Sequence, residues 1–198
     1  MSVIGVDPGI SGAMTHYGNG RVYEIVDMPI FKMVINKKER KRLDMVSLYQ
    51  YFEVKRAMGV ELVTLEAVGG RPAQSASAAF VFGYTVGAIF AVCVALRLPI
   101  ETVSPAIWKR EMRIPGKKTK EGKLDKGYEG KIISRADEIM PQHSNLWRGP
   151  SGGRKIDRAE SALIAKYGYD HLLRIPGVRS KWQQAETQLV YQNAETGA

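Results

Sequence analysis

Four carboxylates occupy positions where a charged side chain serves no packing purpose. Asp7 closes the apolar run Val3-Ile4-Gly5-Val6, and Glu66 closes Leu62-Val63-Thr64-Leu65. A charge at the tip of a buried strand is costly unless something pairs with it. In open α/β sheets ligands gather at strand ends, so two such acids point to one site. Asp157 and Glu160, three residues apart on an expected helix, share one face. They border the apolar side formed by Ala159, Ala162, Leu163, Ile164 and Ala165. Four carboxylates facing one another repel, and one takes up a proton unless a cation intervenes. Hard oxygen donors suit Mg²⁺ or Mn²⁺. Zinc is disfavoured, because Cys93 is alone and His16, His143 and His171 show no ligand spacing. Two ions about 4 Å apart would activate a water and stabilise the leaving oxygen of a phosphodiester. Each piece also has a plainer reading: Asp157 as a helix N-cap, Glu160 as a first-turn acid, Asp7-Pro8-Gly9 as a turn. Only the set points to chemistry.

The charge balance suggests what such a site would act on. Lys and Arg number 29 against 20 Asp and Glu, a net charge of +9 with a pI near 9.6, which favours a polyanionic partner. Over half of that excess lies between 109 and 131. Candidate phosphate contacts there are Lys109, Arg110, Arg113, Lys117, Lys118, Lys120 and Lys123, with Lys126 and Lys131 following. Arg71 joins them from the Gly-rich stretch after Glu66. Arg148, Arg154 and Lys155 precede Asp157, where a helix N-terminus can hold a phosphate. Trp108 either stacks on a base or belongs to the core of a 104–112 helix. A disulfide-stapled scaffold is excluded by the single cysteine. The first residues lack the basic n-region of a signal peptide, so a cytoplasmic setting is expected.

These side chains need a frame. Residues 2–27 read as three antiparallel strands, with Gly18-Asn19-Gly20 as a tight turn between the second and third. Residues 32–42, with six basic side chains, read as an exposed loop. A helix over 45–58 is capped near Asp44 and stopped by Gly59, and a strand over 61–65 leads to Glu66. Residues 73–96 carry no charge. Their small residues and short strongly apolar part favour a core helix over a membrane span, and no membrane partner is expected. Within this 73–98 helix Ser75, Ala79, Gly83, Gly87, Ala91 and Ala95 recur every fourth position. Such a seam admits a close backbone neighbour, either the protein's own sheet or a second copy. A strand over 100–103, a helix opened by Ser104-Pro105, a basic loop over 113–130 and a helix over 131–140 follow. A loop at 150–153 leads to a last helix near Asp157. The expected organisation is one α/β domain over 1–182 and a polar tail over 183–198.

Three segments carry a resemblance: Ile4-Gly5-Val6-Asp7-Pro8-Gly9-Ile10-Ser11-Gly12-Ala13, Leu65-Glu66, and Lys155-Ile156-Asp157-Arg158-Ala159-Glu160-Ser161-Ala162-Leu163-Ile164-Ala165. In this order and spacing they resemble the RuvC family of Holliday-junction resolvases, within the RNase H-like superfamily, over roughly residues 1–170. The phage-type branch is the more similar, since its last motif often ends in Glu, as here at Glu160. The resemblance implies a mixed five-stranded sheet, three antiparallel strands then two parallel, flanked by helices. It implies a metal-binding tetrad of Asp7, Glu66, Asp157 and Glu160 holding Mg²⁺, two ions per site, with Mn²⁺ substituting. Lys109 and Lys131 align with lysines that approach the scissile phosphate, and the 73–98 helix with a homodimer interface. The implied activity is metal-dependent cleavage of branched DNA such as Holliday junctions, forks or flaps, in recombination and repair. The alternative is a non-catalytic DNA-binding or packaging protein that keeps the fold. Gly69 stands where bacterial relatives place an aromatic, and the 113–130 loop is longer than theirs.

Overall fold

The structure, a computed structural model, describes residues 1–35, 37–67, 75–116, 125 and 127–175. β1 (Ser2–Asp7), β2 (Ala13–Gly18) and β3 (Arg21–Asp27) form an antiparallel meander. Asn19 at φ 50° and Gly20 at φ 78° make the turn between β2 and β3, since two successive positive φ values match strand twist. The next strands, β4 (Ile30–Ile35) and β5 (Lys38–Leu43), pair with each other in a separate two-stranded ribbon. The expectation of a loop over 32–42 is therefore corrected. A largely exposed ribbon can carry many cations without burying them, and Phe31, Met33 and Val34 supply the strand preference. Lys37, at φ 60°, lies in the ribbon's turn.

α1 (Met45–Ala57) starts where Asp44 accepts from the N–H groups of Val46 and Ser47, both at 3.1 Å. β6 (Leu62–Glu66) then joins β1 in parallel, and β7 (Ile100–Val103) joins β6 in parallel. The main sheet thus has the order β3-β2-β1-β6-β7, the mixed architecture expected. Between β6 and β7 runs α2 (Ala76–Ala95), with Ser75 capping the N–H of Ala78 at 3.2 Å. It is long and apolar enough to cross a membrane by length and composition. One face, through Ile89, Val92 and Cys93, packs into the core with α1 and the sheet. The small-residue seam lies on the other side: Ser75, Ala79, Gly83, Gly87, Ala91 and Ala95 are all exposed. Packing of that seam onto the protein's own sheet is therefore ruled out.

α3 (Pro105–Glu111) is capped by Ser104 with proline as its first residue. α4 (Tyr128–Ile139) begins three residues earlier than expected, because Tyr128 is itself buried in the core. α5 (Ile156–Tyr167) runs on into a wider turn over Gly168–Leu172.

Strand alternation divides the core. Ile4 and Val6 face α1 and α2, whereas Val3 and Leu62 face α3, α4 and α5. Gly5 shares that second face, and it sets how close α5 comes. A Cβ there would lie 2.1 Å from the amide nitrogen of Ala165 and 2.4 Å from the carbonyl oxygen of Ser161. Strand and helix backbones therefore touch, sealed by a buried 2.7 Å hydrogen bond between the hydroxyls of Thr15 and Ser161. One turn on, Gly168 gives way to Thr64 in the same manner.

Gly5→Ala should lower stability by about 3 kcal/mol, because both atoms it meets are backbone and cannot swing aside. Gly83→Ala, at a helical position with nothing within 4 Å, should leave it unchanged or raise it by up to about 1 kcal/mol. Urea unfolding midpoints of the two variants check the contrast.

Candidate metal centre

Asp7 is the last residue of β1, where Pro8 interrupts the strand's donors and Gly12 returns the chain with a 2.8 Å bond to the Gly9 carbonyl. Glu66 ends β6, one step beyond the Val6–Leu65 pair. The two acids therefore stand side by side at the C-terminal edge of the sheet. α5 packs on the sheet face with its N-terminal end at that edge, and brings Asp157 and Glu160 there in its first two turns. Its N-cap is Lys155, with no side-chain cap. Asp157 is thus not the helix cap, and its side chain is free for another task. Asp7, Asp157 and Glu160 each offer one carboxylate oxygen, and the three lie within 4.8 Å of one another. Glu66 is outside that trio. It is buried, and its Oε1 accepts the indole N–H of Trp108 at 2.9 Å.

The electrostatics follow from the crowding. Burial first, then the charges of Glu160, Glu66 and Asp157, push the Asp7 carboxyl up to about 8 against one opposing bond from the Gly9 backbone. Asp157 is raised by burial and by Glu160, while a hydrogen bond from Asp7 works the other way. At neutral pH Asp7 therefore favours its protonated form. Lys109 supplies a positive charge, with its Nζ 2.7 Å from Glu160 Oε1. Burial acts to lower its pKa, but the charge and hydrogen bond of Glu160 carry it upward. The ammonium also lies 4.9 Å from the Trp108 ring centroid and 5.6 Å from that of Tyr128. The donor set fits a hard divalent cation: three oxygens, no thiolate or imidazole among them, and a buried acid protonated for want of positive charge.

Of the remaining expected residues, several are placed differently. Trp108 has no exposed surface; it is a core residue that orients Glu66, so stacking on a base is excluded. Lys131 is ion-paired with Asp125. Arg148 grips Asp137 at 2.5 and 3.0 Å, beside a 2.9 Å bond from Trp147. Arg110 shares the carboxylate of Glu111 at 2.9 and 3.1 Å. Arg113, Arg154 and Lys155 are exposed. Arg71, Lys117, Lys118, Lys120, Lys123 and Lys126, and the 183–198 tail, lie outside the described residues. Sequence reasoning missed Tyr128 and Arg158. Arg158 forks onto Asp27 at 2.5 and 2.9 Å, tying the first turns of α5 to the end of β3. Its one sequence signal is its place between Asp157 and Glu160, on a different face of the helix.

Nothing among protein-family models or curated proteins matches this chain. Among solved structures it is similar to Thermus thermophilus RuvC in complex with a Holliday junction substrate, at TM-score 0.51 and 15% identity, over 85% of this chain and 94% of that one. It is also similar to a Thermus thermophilus RuvC structure at TM-score 0.46 and 17% identity, over 85% and 95% of the two chains. The first of these, with the strand order above, defines the class: this is an RNase H-like fold. The chain shares its fold with the Thermus thermophilus RuvC of the first comparison.

Because the folded Asp7 carboxyl binds its proton more tightly than the unfolded one, its ionisation opposes folding. In metal-free protein its contribution is lost progressively as pH rises from about 4, the ordinary carboxylate range, to about 8. The melting temperature of Asp7→Asn minus that of wild type should therefore grow across this window and level off above it. A difference that is flat with pH would show that Asp7 is not protonated in the fold.

Proposed function

We propose that this protein is a divalent-metal-dependent endonuclease of the RuvC type that cleaves phosphodiester bonds in branched DNA, Holliday junctions foremost and forks or flaps besides. The observation that carries the reading is the convergence of Asp7, Asp157 and Glu160 oxygens within 4.8 Å at the strand edge of this fold. Asp7, Glu66, Asp157 and Glu160 are the ligands we assign, for two ions per site, Mg²⁺ with Mn²⁺ as substitute. A metal held by these carboxylates would supply Lewis-acid polarisation of the phosphoryl oxygen and a lowered pKa for an attacking water. Asp7 would serve as one of its ligands in the ionised form. Trp108 holds Glu66 at the site's rear wall. Lys109, beside Glu160, puts positive charge where the phosphate gains negative charge, a task we assign to it ahead of Lys131.

Arg110, Arg113, Arg154 and Lys155 are the described candidates for DNA contacts, to which the sequence adds Arg71, Lys117, Lys118, Lys120 and Lys123. We assign the exposed α2 seam to a homodimer contact: the two glycines at its centre, Gly83 and Gly87, have open space where side chains would be. A symmetric dimer presents two sites to a four-way junction. Glu160 as the last acid favours the phage-type branch, working in the cytoplasm of a bacterial or infected cell, with 1–182 as the nuclease domain.

The test is a gel assay of labelled Holliday, fork, flap and duplex DNA with and without Mg²⁺. Branched substrates should be cut only with metal. Asp7→Asn should reduce cleavage by about a thousandfold or more while DNA affinity stays within about twofold, since it removes charge stabilisation and not the phosphate grip. Metal-independent binding with no cleavage of any substrate would favour the non-catalytic alternative. For the dimer, Gly87→Leu should leave the melting temperature within about 3 °C yet shift sedimentation towards the monomer. Unchanged sedimentation of a dimeric variant would remove the seam from the interface.

A further inference from the structure

Among the described residues, the β4–β5 ribbon is a strongly charged element that the site does not use, and its register sorts its side chains. Phe31 pairs with Arg42 and Met33 with Arg40, so these four share a face, and Lys38 follows two residues before Arg40. One face of the ribbon thus carries an apolar row on β4 beside a cationic row on β5. The opposite face carries Lys32 and Lys41, and there Lys32 is neutralised by Glu39 at 3.0 Å. Lys38, Arg40 and Arg42 have no acidic partner among the described residues.

Phe31, Met33 and Arg42 of the mixed face line a groove of about 530 Å³, a volume suited to a small ring system, with the N-terminal half of α2 on its far side. Arg40 and Lys38 continue the cationic row beyond it. Phe31, Phe80 and Tyr84 border it with 47%, 74% and 48% of their surface exposed. Three exposed aromatics around one groove form an apolar patch of the kind that marks an interaction site. Ile10 forms another wall, and three residues of chain, about 11 Å at most, separate it from Asp7. On α2, Phe80 and Tyr84 each follow a seam residue and so lie about 100° round the helix from Ala79 and Gly83. The groove and the seam are different faces.

We propose that this groove takes an unpaired base of a nucleic-acid strand, stacked on Phe31 and Phe80, while Arg40, Arg42 and Lys38 hold that strand's phosphates. Aromatic rings beside a row of unpaired cations match the two chemistries of a single strand, π-faces and regular negative charge. A second protein copy would have to bring compensating acids to the β5 row. The inference rests on the DNA-cleaving reading and adds to it: a site within reach of Asp7 that duplex DNA cannot fill, and hence a means of telling branched DNA from paired DNA.

The test uses the full chain in metal-free buffer, a forked DNA with 2-aminopurine at its unpaired branch position, and a fully paired duplex of the same length. Wild-type binding should change the 2-aminopurine fluorescence. Phe31→Ala combined with Phe80→Ala should weaken fork binding about tenfold or more and abolish that change, with duplex affinity moving less than about twofold. Phe31→Tyr combined with Phe80→Tyr, which keeps stackable rings, should restore both. Arg40→Ala combined with Arg42→Ala should weaken fork binding and lower the slope of log affinity against log salt by about 1.5. Equal losses on fork and duplex from the alanine pair, or no fluorescence change in the wild type, would overturn the inference. So would conversion of a dimer to a monomer by the alanine pair, which would make the groove a self-association surface. Fork binding with the full fluorescence response but no Mg²⁺-dependent cleavage would uphold this site and sink the nuclease reading. Mg²⁺-dependent cleavage with fork preference intact in the alanine pair would do the reverse.

Discussion

The mutual repulsion of crowded, half-buried carboxylates is the constraint around which this molecule is arranged. Bringing Asp7, Asp157 and Glu160 within 4.8 Å in a partly desolvated place is unfavourable by itself. The fold offsets it in three ways. Asp7 keeps its proton, with its carboxyl raised to about 8. Lys109 lies 2.7 Å from Glu160. The backbone of Gly9 donates to Asp7. Each of these is a partial substitute for positive charge, and together they leave a centre whose electrostatics favour a cation.

Holding such a cluster demands stiffness in the elements behind it. Gly5 lets α5 lie directly on β1, and the Thr15–Ser161 hydrogen bond and the Arg158–Asp27 fork fix the helix against sliding or rolling. Two strand ends and one helix start then converge because the β1–β6 register leaves Asp7 and Glu66 side by side at the sheet edge. Trp108 serves both halves of the site. Its indole N–H fixes Glu66, and its ring face lies under the ammonium of Lys109, the neighbour that reaches Glu160. One buried aromatic thus couples an acid 42 residues before it to an acid 51 residues after Lys109.

Much of the frame was legible in the sequence because it rests on local rules. Asn19-Gly20 forces a positive-φ turn, Asp44 and Ser104 cap their helices, and the apolar runs ending in Asp7 and Glu66 read as buried strands. The ribbon over 30–43 was not legible, since its cations mask a strand preference that a two-faced exposed hairpin satisfies without burial. The position of the α2 seam was ambiguous for a related reason. Its spacing defines a stripe of small residues, but which side of the helix meets the core depends on Ile89, Val92 and Cys93 packing against α1 and the sheet.

By itself, then, the chain's order of residues determined the strand ends, the caps, the shared helical face of Asp157 and Glu160, and the excess of positive charge, because each depends on neighbours a few positions apart. Tertiary structure decided the rest: that Glu66 is held by Trp108, that Lys109 answers Glu160, that Arg148 is bound to Asp137, and that Lys131 is bound to Asp125. Carboxylates and cations are interchangeable in a sequence. Only the close approach of particular backbones, set here by Gly5 against Ala165, selects which of them meet.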